Sequence, residues 1–328
     1  MPELEEKNPK IRILPARLSI ATTAFNEADN LRAFCASIRD SLKSINIEIE
    51  IIIVDNGSVD DTLEILRELS LIDKSVRYVS LTRNFGHQGG LIAAMSATRG
   101  QIVVTMDADL QHPPSEIPKM LELWQRGFDI VNTKKRETAR RGSGRKILDK
   151  AYYRILSQMC QIPVSESQSD FRLLDRKALD ALMALPEKEK FLRGLVHWIG
   201  YSSTNIEYVV NKRHTGQTKF NLRQLWSFGI NGIVSFSLVP LRLFTLIGLT
   251  ISVASLSYAI YLLVWWWTGL ITNVPPGWVT LATALLFFGG FLLSAIGVLG
   301  EYVGKILDEV RARPAYIVRE KSNDEDLV

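Results

Sequence analysis

The sequence predicts an α/β fold with a doubly wound, mostly parallel sheet, followed by an interfacial helix and a two-helix transmembrane hairpin. In the first half of the chain, four short apolar runs alternate with segments of helix length, which is typical of parallel strands joined by helices. In the second half, 58 consecutive residues from Leu243 to Gly300 contain no Asp, Glu, Lys, Arg or His. A helix crosses a bilayer with roughly 20 apolar residues, so this stretch is long enough for two spans.

Each predicted element follows from a local pattern. The run Leu18–Ala24 predicts the first strand, and Asn26 is expected to cap a helix that extends to about Leu42. Further strands are predicted at 50–54, 76–81 and 102–106, with helices at 62–69 and 88–98. Beyond them, residues 167–172 are expected to precede a strand, and later elements are a helix at 176–184, a helix opening at 191–194 and a strand at 205–210.

Polar side chains follow each of the first four predicted strands. They are Asn26 and Glu27, then Asp55, then Arg83 and Asn84, and finally Asp107 and Asp109. Any one of them alone fits an ordinary turn or helix cap. Ligands of open parallel sheets bind beyond the carboxyl ends of the strands, so four such positions in succession indicate a ligand site.

The pair Asp107 and Asp109 gives that site a chemistry. Residues two apart in an extended segment point the same way, so both carboxylates are expected to face one ligand. Carboxylate oxygens suit Mg²⁺ or Mn²⁺, which proteins commonly hold together with substrate phosphates. The spacing therefore predicts a divalent metal that carries a diphosphate, as in a nucleotide-sugar site.

The uncharged stretch predicts two membrane spans at about 243–267 and 278–302, joined by a turn at 273–277. Large apolar residues at helical intervals over 221–239, followed by Pro240, predict a helix in the membrane interface. Basic residues lie only on the outer flanks of the pair: Arg223, Arg242, Lys305, Arg311 and Arg313. By the positive-inside rule, a multi-pass protein of the cytoplasmic membrane is expected, with both termini and the catalytic domain in the cytoplasm. The charged segment Met1–Pro15 does not fit a signal peptide.

These expectations divide the chain into four parts. They are a cytoplasmic catalytic domain at 1–220, an interfacial helix region at 221–242, two transmembrane helices at 243–304 and a cytoplasmic tail at 305–328. The sequence does not decide between a monomer and a homo-oligomer.

A dense basic cluster lies between residues 134 and 146, and glycines at 142 and 144 interrupt it. Its members are Lys134, Lys135, Arg136, Arg140, Arg141, Arg145 and Lys146. Three interpretations stay open: a solvated loop, a patch for anionic lipid headgroups and a clamp for a substrate phosphate. Nucleic-acid binding is not expected, because no recognition motif accompanies the cluster and the net charge is only +4.

Several segments together resemble glycosyltransferase family 2, and within it the branch that acts on polyprenyl phosphates. This branch includes dolichol-phosphate mannose synthases and bactoprenol glucosyltransferases of the GtrB type. The matching segments are Thr23–Glu27, Val54–Ser58 with Asp60–Thr62, Arg83–Gln88, Met106–Pro113, Ser169–Arg172 and Arg213–Lys219. The chain departs from the family at Thr23, where a proline is common. It also lacks the Gln-x-x-Arg-Trp segment of processive polysaccharide synthases.

The resemblance implies a GT-A fold and assigns roles to individual residues. On the donor side, Glu27, Asp55 and Asn84 would bind the nucleotide sugar, Asp107 would lie beside the nucleotide, and Asp109 with Gln111 would bind Mg²⁺ or Mn²⁺. Arg213 and Lys219 would neutralise the leaving diphosphate, and Arg136, Arg140, Arg141 and Arg145 are candidates for the lipid phosphate. Asp170, with Asp109, is expected to be catalytic, as a positioning residue more than as a base.

The leading hypothesis is therefore an inverting, metal-dependent transfer of a hexose from a nucleotide diphosphate sugar to polyprenyl phosphate, with UDP-glucose and undecaprenyl phosphate as the first choice of substrates. Mannose, N-acetylglucosamine and formamido-arabinose donors stay open. A hypothesis of another class is a catalytically silent membrane anchor that only binds nucleotide sugar. A transporter is disfavoured because two spans without a charged midplane residue offer no pathway.

Overall fold

The computed structural model describes residues 12–136, 168–187, 190–209, 239–268 and 277–322. These residues form two compact units. The first contains the described residues up to 209 together with 313–322, and the second contains those from 239 to 312.

The first unit is built on an eight-stranded mixed sheet. Its strands are β1 Arg17–Ala24, β2 Glu48–Asp55, β3 Val76–Leu81, β4 Ile102–Thr105, β5 Ile130–Lys135, β6 Gln168–Asp175, β7 Ser203–Tyr208 and β8 Val318–Lys321. Their order in space is β7-β5-β6-β4-β1-β2-β3-β8. The four predicted strands form the parallel centre, because β1 pairs in parallel with β2 and β4, and β2 with β3. The predicted α/β class with a mostly parallel sheet is confirmed.

Helices connect and cover these strands. They are α1 Ala28–Leu42, α2 Thr62–Ile72, α3 Gly86–Ser96, α4 Ile117–Gln125, α5 Arg176–Ala184 and α6 Leu192–Trp198. On α1, Leu31, Phe34, Cys35, Ile38 and Leu42 are buried at helical spacing against the sheet. Burial of each such side chain contributes roughly 1.5–3 kcal/mol. This packing fixes the strand ends, and with them the loops that carry the site.

Two local predictions are wrong. Asn26 does not cap α1: its backbone is left-handed, with φ at 56°, and the N-cap position is Glu27, which makes no side-chain capping bond. The Asn26 Oδ1 atom instead accepts the backbone N–H of Val59, 3.0 Å away, and so joins the loops after β1 and β2. Residues 168–172 do not precede a strand but belong to β6, which runs antiparallel to both β4 and β5.

The second unit contains two long helices, α7 Val239–Trp267 and α8 Trp278–Arg311. They cover both predicted spans, although α7 includes Pro240 in its first turn, where proline is tolerated. The α8 helix continues to Arg311, past the predicted end at 302. Within the described residues, one segment, Phe287–Arg311, is long and apolar enough to cross a membrane, with a mean hydropathy of 1.5. All but the last residue of the predicted interfacial helix at 221–239, and most of the turn at 273–277, lie outside the described residues.

The chain returns to the sheet after α8. Strand β8 pairs antiparallel with β3, and Arg67 forms two hydrogen bonds of 2.9 Å with the carboxylate of Glu320. Part of the segment predicted as a plain cytoplasmic tail is therefore the edge strand of the catalytic sheet.

Candidate active site

The site forms where the parallel strands end. Because β6 is antiparallel to β4, its first residues lie at the same edge as the last residues of β4, and Thr105 is paired with Arg172. The Thr105 hydroxyl donates to the Asp170 carbonyl oxygen, 2.5 Å away. Asp170 is thereby held beside the loop that follows β4, although the two are distant in sequence.

The loop after β4 carries the two predicted carboxylates. Strand β4 ends at Thr105, so Asp107 and Asp109 lie in a turn rather than in an extended strand. Ala108 between them is buried while both aspartates are partly exposed, and that both carboxylates face one ligand stays a prediction. The turn is closed by a left-handed Leu110, with φ at 62°, and by the Gln111 backbone N–H, which donates to Asp109 Oδ1 at 3.1 Å.

The side chains of this loop offer oxygen atoms of the kind that bind a divalent cation. Asp109 offers a carboxylate and Gln111 an amide oxygen, and both side chains are partly exposed. In the described part of the chain, no group of three or more His, Cys, Asp or Glu side chains is arranged to hold a metal. The two residues would thus supply part of a coordination shell, as is usual for Mg²⁺ that is completed by water and substrate phosphates.

His112 is a buried residue of this loop. Its side chain is only 1% exposed, and its ring stacks on Phe171 with the centroids 5.2 Å apart. The Asp107 backbone N–H donates to Nδ1 at 2.9 Å, while Nε2 lies 2.8 Å from Ser169 Oγ. Burial lowers the pKa of His112 despite the nearby charge of Asp107, so the ring is neutral at pH 7.

Asp170 lies in a cluster of cationic groups. Its carboxylate is bound on both oxygens by Arg193, with Nη2 2.9 Å from Oδ2 and Nε 3.2 Å from Oδ1. Arg172, itself buried, donates to Oδ1 at 3.2 Å. His87 Nε2 lies 3.5 Å from Asp170 Oδ2 and 3.6 Å from Asp107 Oδ1. One imidazole therefore connects Asp170 with the loop after β4.

These contacts shift the pKa values of both partners. Burial opposes the charge of Asp170, but the hydrogen bond from His87 and the charges of Arg193 and Arg172 outweigh it and hold its pKa well below the usual range. Burial likewise opposes the charge of His87, but the hydrogen bond to Asp170 and the charges of Asp107 and Asp170 raise its pKa above the ordinary value. At neutral pH, Asp170 is an anion and a poor proton acceptor.

The predicted nucleotide residues lie on the other side of the same edge. Glu27 is partly buried and its Oε2 accepts the Asn30 amide at 2.6 Å, whereas Asn84 is exposed and its Oδ1 accepts the Gly86 N–H at 2.7 Å. Asp55 is 1% exposed, and its two oxygens accept the Ser58 N–H and the Ser80 hydroxyl. Those contacts give Asp55 a role in holding its own loop.

Most of the predicted phosphate-binding residues are not covered by the structure. Arg136 is exposed just past the end of β5, and its backbone N–H donates to the Tyr208 carbonyl at 2.8 Å. The others lie outside the described residues: Arg140, Arg141, Arg145, Arg213 and Lys219.

Sequence reasoning gave no role to four residues of the site: His87, His112, Arg172 and Arg193. The first three stand in segments that matched the family, yet nothing in their spacing indicated contact with Asp107 or Asp170. Arg193 was noted only as part of a helix start. Its distance in sequence from Asp170 leaves no local pattern that would reveal the pair.

Comparisons with known proteins identify the family. Residues 19–183 match the model of glycosyl transferase family 2, and residues 239–306 match the GtrB C-terminal hairpin. An uncharacterized glycosyltransferase of Synechocystis is 39% identical over 92% of this chain and 94% of its own length. A bactoprenol glucosyl transferase of Shigella phage SfX is 33% identical over 93% of this chain and 99% of its own length.

Among solved structures, the similarity is weaker. A mannosyltransferase of Pyrobaculum calidifontis, in complex with GDP-Man and Mn²⁺, is 14% identical and covers 94% of this chain and 90% of its own, with a TM-score of 0.46. The glucosyl-3-phosphoglycerate synthase of Mycobacterium tuberculosis is 20% identical and covers 67% of this chain and 79% of its own, also with a TM-score of 0.46.

Proposed function

The chain belongs to glycosyl transferase family 2, and from that premise we propose that it transfers a hexose, with inversion, from a nucleotide diphosphate sugar to polyprenyl phosphate. Glucose, carried by UDP, is the first choice of donor sugar. The match to the GtrB C-terminal hairpin and the relatives named bactoprenol glucosyl transferase support a lipid acceptor. The alternatives of mannose, N-acetylglucosamine and formamido-arabinose differ only in the donor.

One observation carries the proposal: a single imidazole, His87, lies within 3.6 Å of both Asp107 and Asp170. Asp107 belongs to the loop with metal-binding chemistry, and Asp170 is surrounded by Arg172, Arg193 and His87. A diphosphate donor suits the first group and an anionic acceptor suits the second, because cationic side chains in excess of carboxylates bind phosphate. A transfer between two phosphate-bearing substrates needs such neighbouring subsites.

The chemistry of a phosphate acceptor makes a strong base unnecessary. A phosphate monoester has a second pKa of about 6, so at neutral pH its oxygens are already anionic. One of these oxygens would form a bond to the anomeric carbon as the bond from that carbon to the diphosphate oxygen breaks, and the electron pair would leave with the nucleoside diphosphate. The dianion has no proton to lose. Asp170, with its depressed pKa, would orient Arg193 and His87 towards the acceptor rather than remove a proton.

Asp109 and Gln111 would hold the divalent cation, Mg²⁺ or Mn²⁺. When bound, the cation supplies positive charge that stabilises the leaving diphosphate. The protein side chains proposed to share that task are Arg213 and Lys219, while Arg136, Arg140, Arg141 and Arg145 are proposed for the lipid phosphate. The nucleotide is proposed to contact Glu27, Asn84 and Asp107. Asp55 is proposed for the same subsite, and its carboxylate, 1% exposed, also accepts the Ser58 N–H.

The membrane arrangement is part of the proposal. Two helical spans with basic outer flanks would keep both termini and the catalytic unit on the cytoplasmic side, where nucleotide sugars are made. Exposed apolar side chains along α8, such as Leu292, Leu293 and Ile296, suit contact with lipid chains.

The test is transfer by the purified full chain in detergent micelles that contain undecaprenyl phosphate. UDP-glucose, GDP-mannose and UDP-N-acetylglucosamine are compared with and without EDTA, and lipid-linked sugar is measured. We expect glucose transfer that EDTA abolishes and that Mn²⁺ or Mg²⁺ restores.

Asp109→Asn is the matched variant. It should lose transfer but keep its melting temperature, because it removes a charge from a partly exposed loop and no core volume. Binding of nucleotide sugar without turnover of any donor would instead identify a silent membrane anchor. Full activity of Asp109→Asn at limiting metal would overturn the metal assignment.

A further inference from the structure

The His112 side chain connects the two halves of the site. It is the residue after Gln111 in the loop that follows β4, but its ring packs against β6 and β7, stacked on Phe171 and edge-on to Tyr208 at 5.8 Å. Two aromatic neighbours and almost complete burial leave the ring no room to turn. Its two nitrogen atoms therefore have fixed partners.

The hydrogen bonds determine which ring nitrogen carries the proton. Nδ1 accepts the Asp107 backbone N–H at 2.9 Å, so it offers its lone pair. In a neutral ring the proton is then on Nε2, which lies 2.8 Å from Ser169 Oγ and donates to it. The Tyr208 hydroxyl lies 3.2 Å from the same Oγ. Ser169 directly precedes Asp170, so the chain of contacts ends at the residue next to the carboxylate of the cationic cluster.

We propose that His112 is a positioning residue that sets the distance between the Asp107–Gln111 loop and Asp170, and so aligns the donor with the acceptor. The inference rests on the proposed transfer reaction. His112 lies at the end of the loop, and its ring accepts the backbone N–H of Asp107 at the start. This hydrogen bond holds the two ends of the loop together. The bond to Ser169 then fixes the closed loop to β6. Loss of either bond would let the two subsites move apart while each keeps its own ligands.

Such a role predicts a particular kinetic signature. An error of about 1 Å between reacting groups can cost about 100-fold in rate, whereas each substrate still finds its own contacts. His112→Phe keeps the stacked ring but removes both hydrogen bonds. We expect kcat to fall about 100-fold, with little change in either KM. His112→Asn offers an amide oxygen near the position of Nδ1 and keeps the contact with Asp107. It loses the bond to Ser169, so it should recover only part of kcat, to about the level of Ser169→Ala.

Ser169→Ala and Tyr208→Phe separate the two ends of the contact chain. Ser169→Ala removes the partner on β6 and should lower kcat while the Asp107 amide stays bonded to the ring. Tyr208→Phe removes a hydroxyl whose hydrogen-bond partner among the described residues is Ser169, and it serves as the matched control. Its expected loss is less than about 10-fold, the value of one neutral hydrogen bond.

The deciding experiment combines steady-state kinetics of the full-length variants with amide hydrogen exchange of peptides that contain the Asp107 N–H. Slow exchange at Asp107 in the wild type and in His112→Asn, fast exchange in His112→Phe and a fall in kcat without a matching rise in KM would support the proposal. Unchanged exchange in a folded His112→Phe, or wild-type kcat in Ser169→Ala, would overturn it. If His112→Phe does not fold, the Ser169→Ala kinetics decide. Hydrogen exchange needs no substrate. If the wild-type protein transferred sugar from no donor, the proposed reaction would be contradicted, and exchange would still test the contact of His112 with Asp107.

Discussion

Among single residues, Asp170 is a buried carboxylate whose charge has to be balanced by its neighbours. It is 5% exposed and bound by two arginines, so its charge is compensated inside the protein. A carboxylate with a lowered pKa contributes stability that is present above its unfolded pKa of about 3.9 and is lost as the pH falls through the folded value. Its protonation therefore lies below the pH range in which a phosphate monoester titrates.

Because the pKa of Asp170 lies below that of the acceptor phosphate, the pH dependence of transfer can be predicted. The acidic limb of wild-type kcat should follow the acceptor phosphate, at about pH 6, and not Asp170. Asp170→Asn should lower kcat about 100-fold through misplacement of Arg193 and His87, with the acidic limb at the same pH. The measurement is kcat against pH for both proteins at saturating substrates. A residual rate in the variant that no longer depends on pH would restore Asp170 as the base.

His87 should govern the alkaline limb. The groups that face it are Asp107, Asp170 and Arg193, and their combined effect raises its pKa above the ordinary value of about 6.5. Stability from its ion pairs is present at low pH and is lost as the pH rises through the folded pKa. We expect kcat/KM to fall over that range.

The matched variants are His87→Lys, which keeps a cation to higher pH, and His87→Gln, which has none. The Lys variant should move the alkaline limb upward, and the Gln variant should have a low rate with no such limb. An alkaline limb at the wild-type pH in both variants would show that another group titrates.

At the scale of elements, the segment after β5 is proposed to act on the acceptor. It begins at Arg136, which is exposed, and continues through Arg140 and Arg145. Replacement of the three arginines by glutamine should raise KM for polyprenyl phosphate far more than KM for the nucleotide sugar, because charge-assisted contacts contribute about 1.5–3 kcal/mol each when partly buried. Both KM values are measured in the same micelles. An equal rise in both would mean that the segment covers the whole site or that folding is impaired.

Strand β8 should stabilise the edge of the sheet. Its segment contributes backbone hydrogen bonds to β3 and its surroundings, among them Thr82 N–H to Ile317 and Ser322 N–H to Tyr78, both 3.0 Å. Truncation after Arg313 should therefore lower the free energy of unfolding by roughly 2–4 kcal/mol, at about 1 kcal/mol for each lost bond. Proteolysis within β3 should become faster in thermal challenge experiments. Truncation after Ser322, which keeps β8, is the control, and equal stability of the two truncated chains would contradict the prediction.

At the scale of the whole molecule, the sequence predicted what depends on local pattern. Strands β1 to β4 and both long helices follow from apolar runs that need no distant partner. Only the end of β6 was predicted, as a strand after residue 172. Its first part was missed because Gln168–Asp170 is polar, and its strand character comes from pairing with β4 and β5. Strand β8 was missed for the same reason: four residues, three of them charged, become a strand only when β3 is beside them.

In the site, too, the residues that motifs reveal can be separated from those that only the tertiary structure reveals. Asp107, Asp109 and Asp170 could be selected from motifs and strand ends, and all three lie at one edge of the sheet. The partners that set their properties could not. His87 and Arg193 reach them through tertiary contacts, and no pattern in the sequence shows that the ring of His112 contacts the Asp107 amide and Ser169. Asp55 was expected to bind the nucleotide. Its two oxygens accept hydrogen bonds from Ser58 and Ser80, and its contact with a ligand stays a prediction.

The position of β8 in the chain has a consequence for biosynthesis. A ribosome makes β1 to β7 first, then the hairpin, and β8 after the hairpin. Until β8 emerges, the outer edge of β3 has no strand beside it within the described part of the chain, and an open edge invites pairing with other chains. Completion of the catalytic sheet thus comes after synthesis of both hairpin helices. A chain whose synthesis stops within the hairpin would therefore lack the strand that covers this edge of β3.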